Sequence, residues 1–407
     1  GNYVGNQYFV GQQPVNGLDM SPIAVGWSVT GSGLNTTVVS VSAPSYSNGW
    51  VNYTFTLGAS ASYGTNYVFS APAPSVTVNS GGVLSIGSGI TVANPVVSNG
   101  GSIQFGSGTN TISSNVTLNA ATTISASSGS QSISGVISGA GYGVTIGGSG
   151  TIVFAGVNTY SGTTTINSGS TLNLSGSGSI ANSAISNAGT FSISGTSSGA
   201  SIVSLSGAGS TVLGANTLTI SNANGTYSGV MSGVGGSLTL TAGTLTLSGT
   251  NTYTGATTIN GGTLNITNNS GLGATTGAVT VASGATLDLQ SVTVGANPMT
   301  LSGGTLKDAT SSFAGAITLT ANSTISVTNA ADTFTLSGVI SGTGYGVTIG
   351  GSGTVVFTAA NTYSGTTTIN SGSTLNLSGS GSIANSAISN AGTFSISGTS
   401  SGVSIVS

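Results

Sequence analysis

A gap-free internal duplication is the feature that most constrains this sequence. Residues 75–204 recur as residues 278–407 at a constant offset of 203 positions, and Asn158–Gly199 returns unchanged at Asn361–Gly402. A fold that accepts a whole additional block is built from stacked units, each of which contacts only its neighbours. A single active site gains nothing from such a duplication, so the duplication favours a scaffold.

A shorter repeat runs inside each block. Segments such as Thr244–Leu247, Thr263–Ile266 and Thr286–Leu289 alternate apolar and polar residues, and successive copies are often 19 to 23 residues apart. Alternation of this kind predicts strands, and the Gly, Ser and Asn residues between them are typical of turns. We therefore predict an all-β parallel β-helix or β-solenoid of about 15 coils, with apolar side chains inside and Thr, Ser and Asn outside.

The first 73 residues have a different composition. Eleven aromatic residues, including Trp27 and Trp50, precede Pro72, and the stiff connector Ala71–Pro74 follows. We predict two domains: a small aromatic-rich, sandwich-like β module at 1–73, serving as a cap or an assembly module, and a solenoid at 74–407. The opening segment, with Tyr3, Tyr8 and Phe9, is the candidate assembly segment; a cap strand, a flexible terminus and a strand donated to a neighbour all stay open.

Charged residues are almost absent, and this excludes several classes of function. The chain has Lys307 but no Arg, Glu, His or Cys, and its acidic residues are Asp19, Asp288, Asp308 and Asp332. Nucleic-acid binding requires basic side chains, zinc requires His or Cys, and no apolar run is long enough to span a bilayer. We therefore predict no nucleic-acid partner, no membrane-spanning segment, no metal and no cofactor.

The same inventory argues against catalysis. Glycoside hydrolysis, the rival function for a solenoid, normally needs two carboxyl groups facing one cleft, and no residue type suited to a general base is present beyond the four Asp. We expect no catalytic residue and no enzymatic activity. So few titratable groups also predict a stability that varies little from about pH 2 to pH 9.

One charged pair has a structural explanation. Ser283–Asp288 aligns with Ser302–Lys307, nineteen residues later, so Asp288 and Lys307 are predicted to form an ion pair between adjacent coils. An exposed pair of this kind contributes about 0 to 1 kcal/mol and would help to fix the register. Asp308, next to Lys307, is expected to be solvated.

Asn251–Ile266, NTYTGATTINGGTLNI, resembles the autotransporter-associated β-strand repeat, and related copies begin at Asn158 and Asn361. That repeat is found in the passenger regions of bacterial autotransporters and in other large surface proteins. The resemblance implies a solenoid and an extracellular or cell-surface location, but no particular activity. Autotransporters end in a membrane-inserted barrel, whereas this sequence is still within a repeat at Ser407; a cleaved barrel and a different assembly route are both open.

A function follows from these features as a hypothesis. The sequence opens without a signal-peptide pattern and ends without a capping repeat, which predicts a mature chain with an open solenoid edge. Open sheet edges pair with other chains, so the leading interpretation is the subunit of a head-to-tail homopolymeric surface filament or sheath. A monomeric adhesin stalk or autotransporter passenger fragment is the alternative, a polysaccharide-active enzyme is a weaker one, and surface glycans stay open as partners.

Overall fold

The computed structural model of the chain describes residues 74–399 continuously, together with strand segments at 8–14, 28–31, 34–41, 45–47, 50–57, 68–70 and 405–406. Side chains are described for residues 74–398. The chain divides into two compact units, Gly1–Ser75 and Val76–Ser407. The described residues contain strands and turns but no helix.

Unit one contains an antiparallel sheet in the strand order β1-β5-β3-β2-β6, with β4 beside β5. Its strands are β1 (Tyr8–Pro14), β2 (Ser28–Gly31), β3 (Leu34–Val41), β4 (Ser45–Ser47), β5 (Trp50–Leu57) and β6 (Val68–Ser70). Tyr8 and Phe9 lie in β1, opposite Thr56 and Phe55 of the same chain. Tyr3 lies outside the described residues, as does most of what would define a sandwich, so strand donation stays a prediction.

Unit two contains short strands only. The first of them are β7 (Val76–Asn79), β8 (Val83–Ile86), β9 (Thr91–Val92), β10 (Val96–Asn99), β11 (Ser102–Phe105), β12 (Thr111–Ile112), β13 (Val116–Leu118), β14 (Thr122–Ala126), β15 (Ser130–Ile133), β16 (Ile137–Ser138), β17 (Val144–Gly148), β18 (Thr151–Phe154), β19 (Thr164–Ile166), β20 (Thr171–Gly176), β21 (Ile185–Asn187), β22 (Thr190–Thr196), β23 (Ala200–Ile202), β24 (Leu205–Ser206) and β25 (Ser210–Val212). The others are β26 (Thr217–Ile220), β27 (Ala223–Tyr227), β28 (Met231–Ser232), β29 (Ser237–Leu240), β30 (Gly243–Leu247), β31 (Thr257–Ile259), β32 (Thr263–Ile266), β33 (Val279–Ala282), β34 (Thr286–Gln290), β35 (Thr293–Val294), β36 (Met299–Ser302), β37 (Thr305–Ala309), β38 (Ser312–Phe313), β39 (Ile317–Ala321), β40 (Ser323–Val327), β41 (Thr333–Leu336), β42 (Ile340–Ser341), β43 (Val347–Gly351), β44 (Thr354–Phe357), β45 (Thr367–Ile369), β46 (Thr374–Gly379), β47 (Ile383–Asn390), β48 (Thr393–Thr399) and β49 (Ile405–Val406).

These strands form a parallel β-solenoid of about 16 turns. Each coil contributes two or three strands, and each strand pairs in parallel with its counterpart in the next coil; β7, β10, β13 and β16, for example, make one sheet. Sheets made of β8 to β24 and of β9 to β28 form the other faces of the first block, and three further sheets form the second block. The predicted all-β solenoid is therefore confirmed.

The core consists of apolar columns that run from coil to coil. In one column Ile103, Ile124, Ile146 and Ile166 are register partners in turn, and all four are fully buried. Each aliphatic side chain of this kind contributes roughly 1.5 to 3 kcal/mol when it is removed from water. The sequence alternation places these residues inward because successive side chains of a strand point to opposite faces.

Polar ladders run along the outside. The Nδ2 of Asn99 donates to Oδ1 of Asn79 at 2.9 Å, and the Nδ2 of Asn119 donates to Oδ1 of Asn99 at 3.0 Å. Glycine is required at some of the corners between strands, as at Gly148 and its copy Gly351, where φ is +83° and +84° and a Cβ would collide with a carbonyl of the preceding coil. Hydrogen bonds between neutral groups thus link coils without charges.

Candidate functional site

An Asn-Thr-Tyr corner occurs three times and carries the buried polar groups of the solenoid. It lies between β18 and β19, between β30 and β31, and between β44 and β45. Its asparagines are Asn158, Asn251 and Asn361, each about 3% exposed. At a corner the chain leaves the regular ladder, so backbone groups of neighbouring coils need side-chain partners there.

The asparagine amide supplies these partners. The backbone N–H of Met231, in the preceding coil, donates to Oδ1 of Asn251 at 2.8 Å, and the Nδ2 of Asn251 donates to the carbonyl of Gly271, in the following coil, at 2.8 Å. Asn158 makes the equivalent bonds to Ile137 and Ser179 at 2.8 and 3.0 Å. One side chain therefore joins three successive coils.

The third copy differs in one bond. Oδ1 of Asn361 accepts the N–H of Ile340 at 2.8 Å, but its Nδ2 is buried without a hydrogen-bond partner among the described residues. An unpaired buried donor costs about 1 to 3 kcal/mol. The third corner is therefore held less completely than the other two.

The tyrosine of each corner is fully buried and hydrogen-bonded through its hydroxyl. Tyr160 Oη and Thr164 Oγ1 are 2.7 Å apart, and Thr164 Oγ1 lies 2.7 Å from Ser183 Oγ of the next coil. Ser183 Oγ in turn donates to the carbonyl of Gly162 at 2.7 Å. The same chain of bonds recurs at Tyr363, with Thr367 and Ser386.

This hydroxyl network has no catalytic character. Burial raises the pKa of Tyr160, and it raises the pKa of Tyr253 and of Tyr363 to about 12, against the opposing effect of the hydrogen bond to the corner threonine. A phenol with such a pKa stays neutral at physiological pH, and no solvent reaches it. The network stabilises the corner.

The charged residues gather in the second block. Lys307 Nζ lies 2.9 Å from Oδ2 of Asp288, its register partner in the adjacent coil, and the side chains are 40% and 7% exposed. The acid of this pair is therefore nearly buried, rather than exposed as the sequence suggested. An ion pair with one shielded partner fixes register and leaves neither group in position for chemistry.

The prediction that Asp308 is solvated is wrong. Asp308 is fully buried because it follows the outward Lys307 on β37 and so points inward, between Leu289 and Val327. Its Oδ2 accepts the N–H of Ser311 at 2.9 Å, and its Oδ1 has no hydrogen-bond partner. Burial raises the pKa of Asp308, although the hydrogen bonds to Ser311 act in the other direction.

Asp332 has a structural partner as well. It accepts hydrogen bonds from Thr310 Oγ1 at 2.7 Å and from Asn329 Nδ2 at 2.8 Å, and these bonds lower the pKa of its carboxyl group. Thr310 has a φ of +64°, a conformation that is unfavourable for a residue other than glycine. Asp332 thus holds a strained corner.

No cleft brings these groups together. Two open depressions, of about 270 and 350 Å³, lie near residues 176–224 and are lined by Gly, Ala, Ser, Thr, Asn and aliphatic residues, with no titratable side chain. Across the described residues, no three His, Cys, Asp or Glu side chains are grouped to hold a metal ion. That part of the chain also contains no helix of the length and apolarity needed to cross a membrane.

The sequence reasoning singled out Asp288 and Lys307 and did not identify the bonds of the corner. The signal was available, since Asn-Thr-Tyr appears three times at the same place in the repeat. Its function depends on which backbone groups lie in the coils on either side, and the sequence of one corner does not specify them.

Three segments of the chain, residues 147–174, 242–266 and 350–377, match the family described as passenger-associated-transport-repeat. Each match includes one Asn-Thr-Tyr corner and the strands on either side of it. The matches confirm the resemblance that Asn251–Ile266 carries. No curated protein and no solved structure matches the chain.

Proposed function

We propose that this chain is a non-catalytic structural solenoid of a secreted or cell-surface protein, and that its copies associate head to tail into a filament or sheath. The passenger-type repeats support the location, because proteins that carry them are secreted or displayed on the cell surface. The filament rests on the edges of the solenoid.

One observation carries the structural role: the buried polar side chains are engaged by neighbouring coils. Asn251 bonds to Met231 and Gly271, and Thr164 bonds to Tyr160 and Ser183, all within the stack. A catalytic site needs polar groups that converge on a substrate. Polar groups that bond only from coil to coil make a continuous load-bearing element.

The assembly is supported by the geometry of a parallel solenoid. Its two edges are different surfaces, so a contact between them is heterologous and does not close. Within unit two, β7 and β8 pair with the coil that follows and with no strand on their other edge. Their coil contains no charged residue, so no like-charge repulsion opposes stacking.

Sedimentation velocity over a concentration series tests the proposal. The weight-average sedimentation coefficient is expected to rise with protein concentration and to change little between low and high salt, because the contact is made by neutral groups. A single monomeric species at every concentration would contradict the filament.

A monomeric passenger or adhesin stalk is the second candidate, and the three repeat matches favour it. This function predicts the monomer in sedimentation, together with binding of the chain to a surface component such as a glycan. A polysaccharide-active enzyme would require turnover of a glycan that Asp288→Asn or Asp308→Asn abolishes, and we expect no such turnover.

A further inference from the structure

The first and the last fully stacked coils leave apolar side chains incompletely covered. The hydrophobic residues that pack against the core but are only partly buried are Val76, Leu84 and Val92 in the first coil, and Ile388 and Phe394 in the coil of β47 and β48. Val83 and Ile396, in the same two coils, are 53% and 49% exposed. These two coils form the edges of the described stack.

The duplication provides a direct comparison for the last coil. Ile388, Phe394 and Ile396 are copies of Ile185, Phe191 and Ile193, in an identical stretch of sequence. The earlier copies are 1%, 0% and 0% exposed. They differ in having a following coil, formed by β24 and β25, stacked against β21 and β22.

The first coil has a copy as well. Val76 and Leu84 correspond to Val279 and Leu287, which are 1% and 0% exposed. That copy has a preceding coil, formed by β31 and β32, stacked against β33 and β34. The same kind of sequence is thus fully buried wherever a coil covers it.

We infer that, in the filament proposed above, the coil of β47 and β48 from one copy stacks on the coil of β7 and β8 from the next. This inference rests on the proposed filament and specifies its contact. The register that keeps inward residues on inward residues places Ile388 on Val76, Phe394 on Leu84 and Ile396 on Ile86. Thr263–Ile266 already lies on Thr286–Leu289 in this way, with Ile266 on Leu289, the copy of Ile86.

The corners of the two coils are compatible in length. Asn390 and Thr393 are three positions apart, whereas Val78 and Val83 are five apart. The chain already stacks such a pair, because Asn390 and Thr393 lie on Ile369 and Thr374, which are also five apart.

The backbone of the first coil is oriented for this contact. The N–H of Val76 donates to the carbonyl of Pro95 at 2.8 Å, as the N–H of Val279 does to Pro298 at 2.8 Å. Successive backbone groups of a strand point alternately to its two sides, so the N–H of Thr77 is directed towards the position of a preceding coil. Its copy, Thr280, lies opposite Thr258 of such a coil.

Disulfide trapping in the full chain tests the register. Ser85 and Ser395 would face each other outside the core, as Asp288 and Asn265 do within the chain. Adjacent strands are about 4.8 Å apart, within the range that a disulfide bridges, and the chain has no cysteine of its own. The Ser85→Cys, Ser395→Cys double variant is expected to form covalent dimers and longer multimers on mild oxidation.

The control uses the copy of the same serine. Ser192 is the counterpart of Ser395 in the first block and has a coil of its own chain stacked over it. The Ser85→Cys, Ser192→Cys double variant is therefore expected to stay monomeric under reducing-free denaturing electrophoresis. Circular dichroism of both variants checks that the fold is kept.

The outcomes separate the contact from the filament. If the wild-type chain polymerises but the Ser85–Ser395 pair gives no more multimer than the control, this register is wrong and the filament stands. If the wild-type chain is monomeric and the pair is not trapped, both fail. If the cysteines close within one chain, the occupant of the edge is not a second copy, and the inference is overturned.

Discussion

Oδ1 of Asn158 accepts the backbone N–H of Ile137 from a distance of 2.8 Å and from 21 residues away along the chain. The bond places a side-chain amide where a strand of the next coil would otherwise supply a carbonyl. Each passenger-type repeat thus closes its corner with its own asparagine. This explains how the stack continues where the strand ladder is interrupted.

Replacing a corner asparagine should destabilise the solenoid more than replacing an exposed one in the same repeat. Asn251→Ala removes the partners of the Met231 N–H and of the Gly271 carbonyl, both in buried surroundings. We expect a loss of about 1 to 3 kcal/mol in the free energy of unfolding, measured by urea denaturation. Asn260→Ala, at an exposed position, is the control. Equal losses for the two variants would contradict the function assigned to the corner.

The buried tyrosines predict a loss of stability in alkali. Burial raises the pKa of Tyr227, Tyr253 and Tyr363 to about 12, from an ordinary value of 10.0. The unfolded chain loses these protons first, so stability is fully present below pH 10 and falls as the pH rises towards 12. Urea midpoints measured from pH 8 to pH 12, with phenolate absorbance, check this; Tyr253→Phe should reduce the fall, and an unchanged midpoint across the range would disprove it.

Asp308 predicts a pH dependence of the opposite kind to that of a salt-bridged acid. Its pKa is raised above the ordinary 3.8 by burial, so the unfolded state ionises first as the pH increases. Stability is therefore highest below pH 3.8 and decreases as the pH rises through the pKa of the folded state. Asp308→Asn should remove this decrease in urea midpoints.

Asp332→Asn is the matched control for Asp308. The pKa of Asp332 is lowered by its hydrogen bonds, so its contribution is present above the unfolded pKa and is lost as the pH falls through the folded one. Its substitution should alter only the acidic end of the profile. If Asp308→Asn kept the wild-type profile, a buried, unfavourably ionised Asp308 would be the wrong description.

The Asp288–Lys307 pair can be exchanged for its counterpart in the first block. The residues at the same positions there are Ser85 and Gln104, which are also register partners. Lys307→Gln alone leaves Asp288 shielded and unpaired and should cost about 1 kcal/mol. The double variant, with Asp288→Ser as well, should recover most of that loss in urea denaturation. A double variant as unstable as the single one would mean that the pair does not act through its charges.

Much of the fold could be predicted from the sequence, because the stacking is periodic. The alternation in Thr263–Ile266 and Thr286–Leu289 predicts strands, and both are strands of one parallel sheet. The same alternation would have placed Asp308 inward once Lys307 was placed outward. The error arose because the charge of Asp308 was given more weight than its position on the strand.

The corner bonds could not be predicted in the same way. Asn158 lies outside the alternating segments, and its partners, Ile137 and Ser179, are each 21 residues away in different coils. Coil lengths in this chain vary by several residues, so the spacing of residues alone does not show which backbone group lies beside a corner. The coordinates of neighbouring coils are needed for that.

Electron microscopy of the purified chain at high concentration tests the central claim most directly, namely that neutral coils stack in register from one molecule to the next. The account predicts unbranched filaments whose length increases with concentration and whose axial repeat is on the order of 75 Å or more, since about 16 turns lie about 4.8 Å apart. Dispersed single particles at every concentration, with no end-to-end contacts, would contradict it.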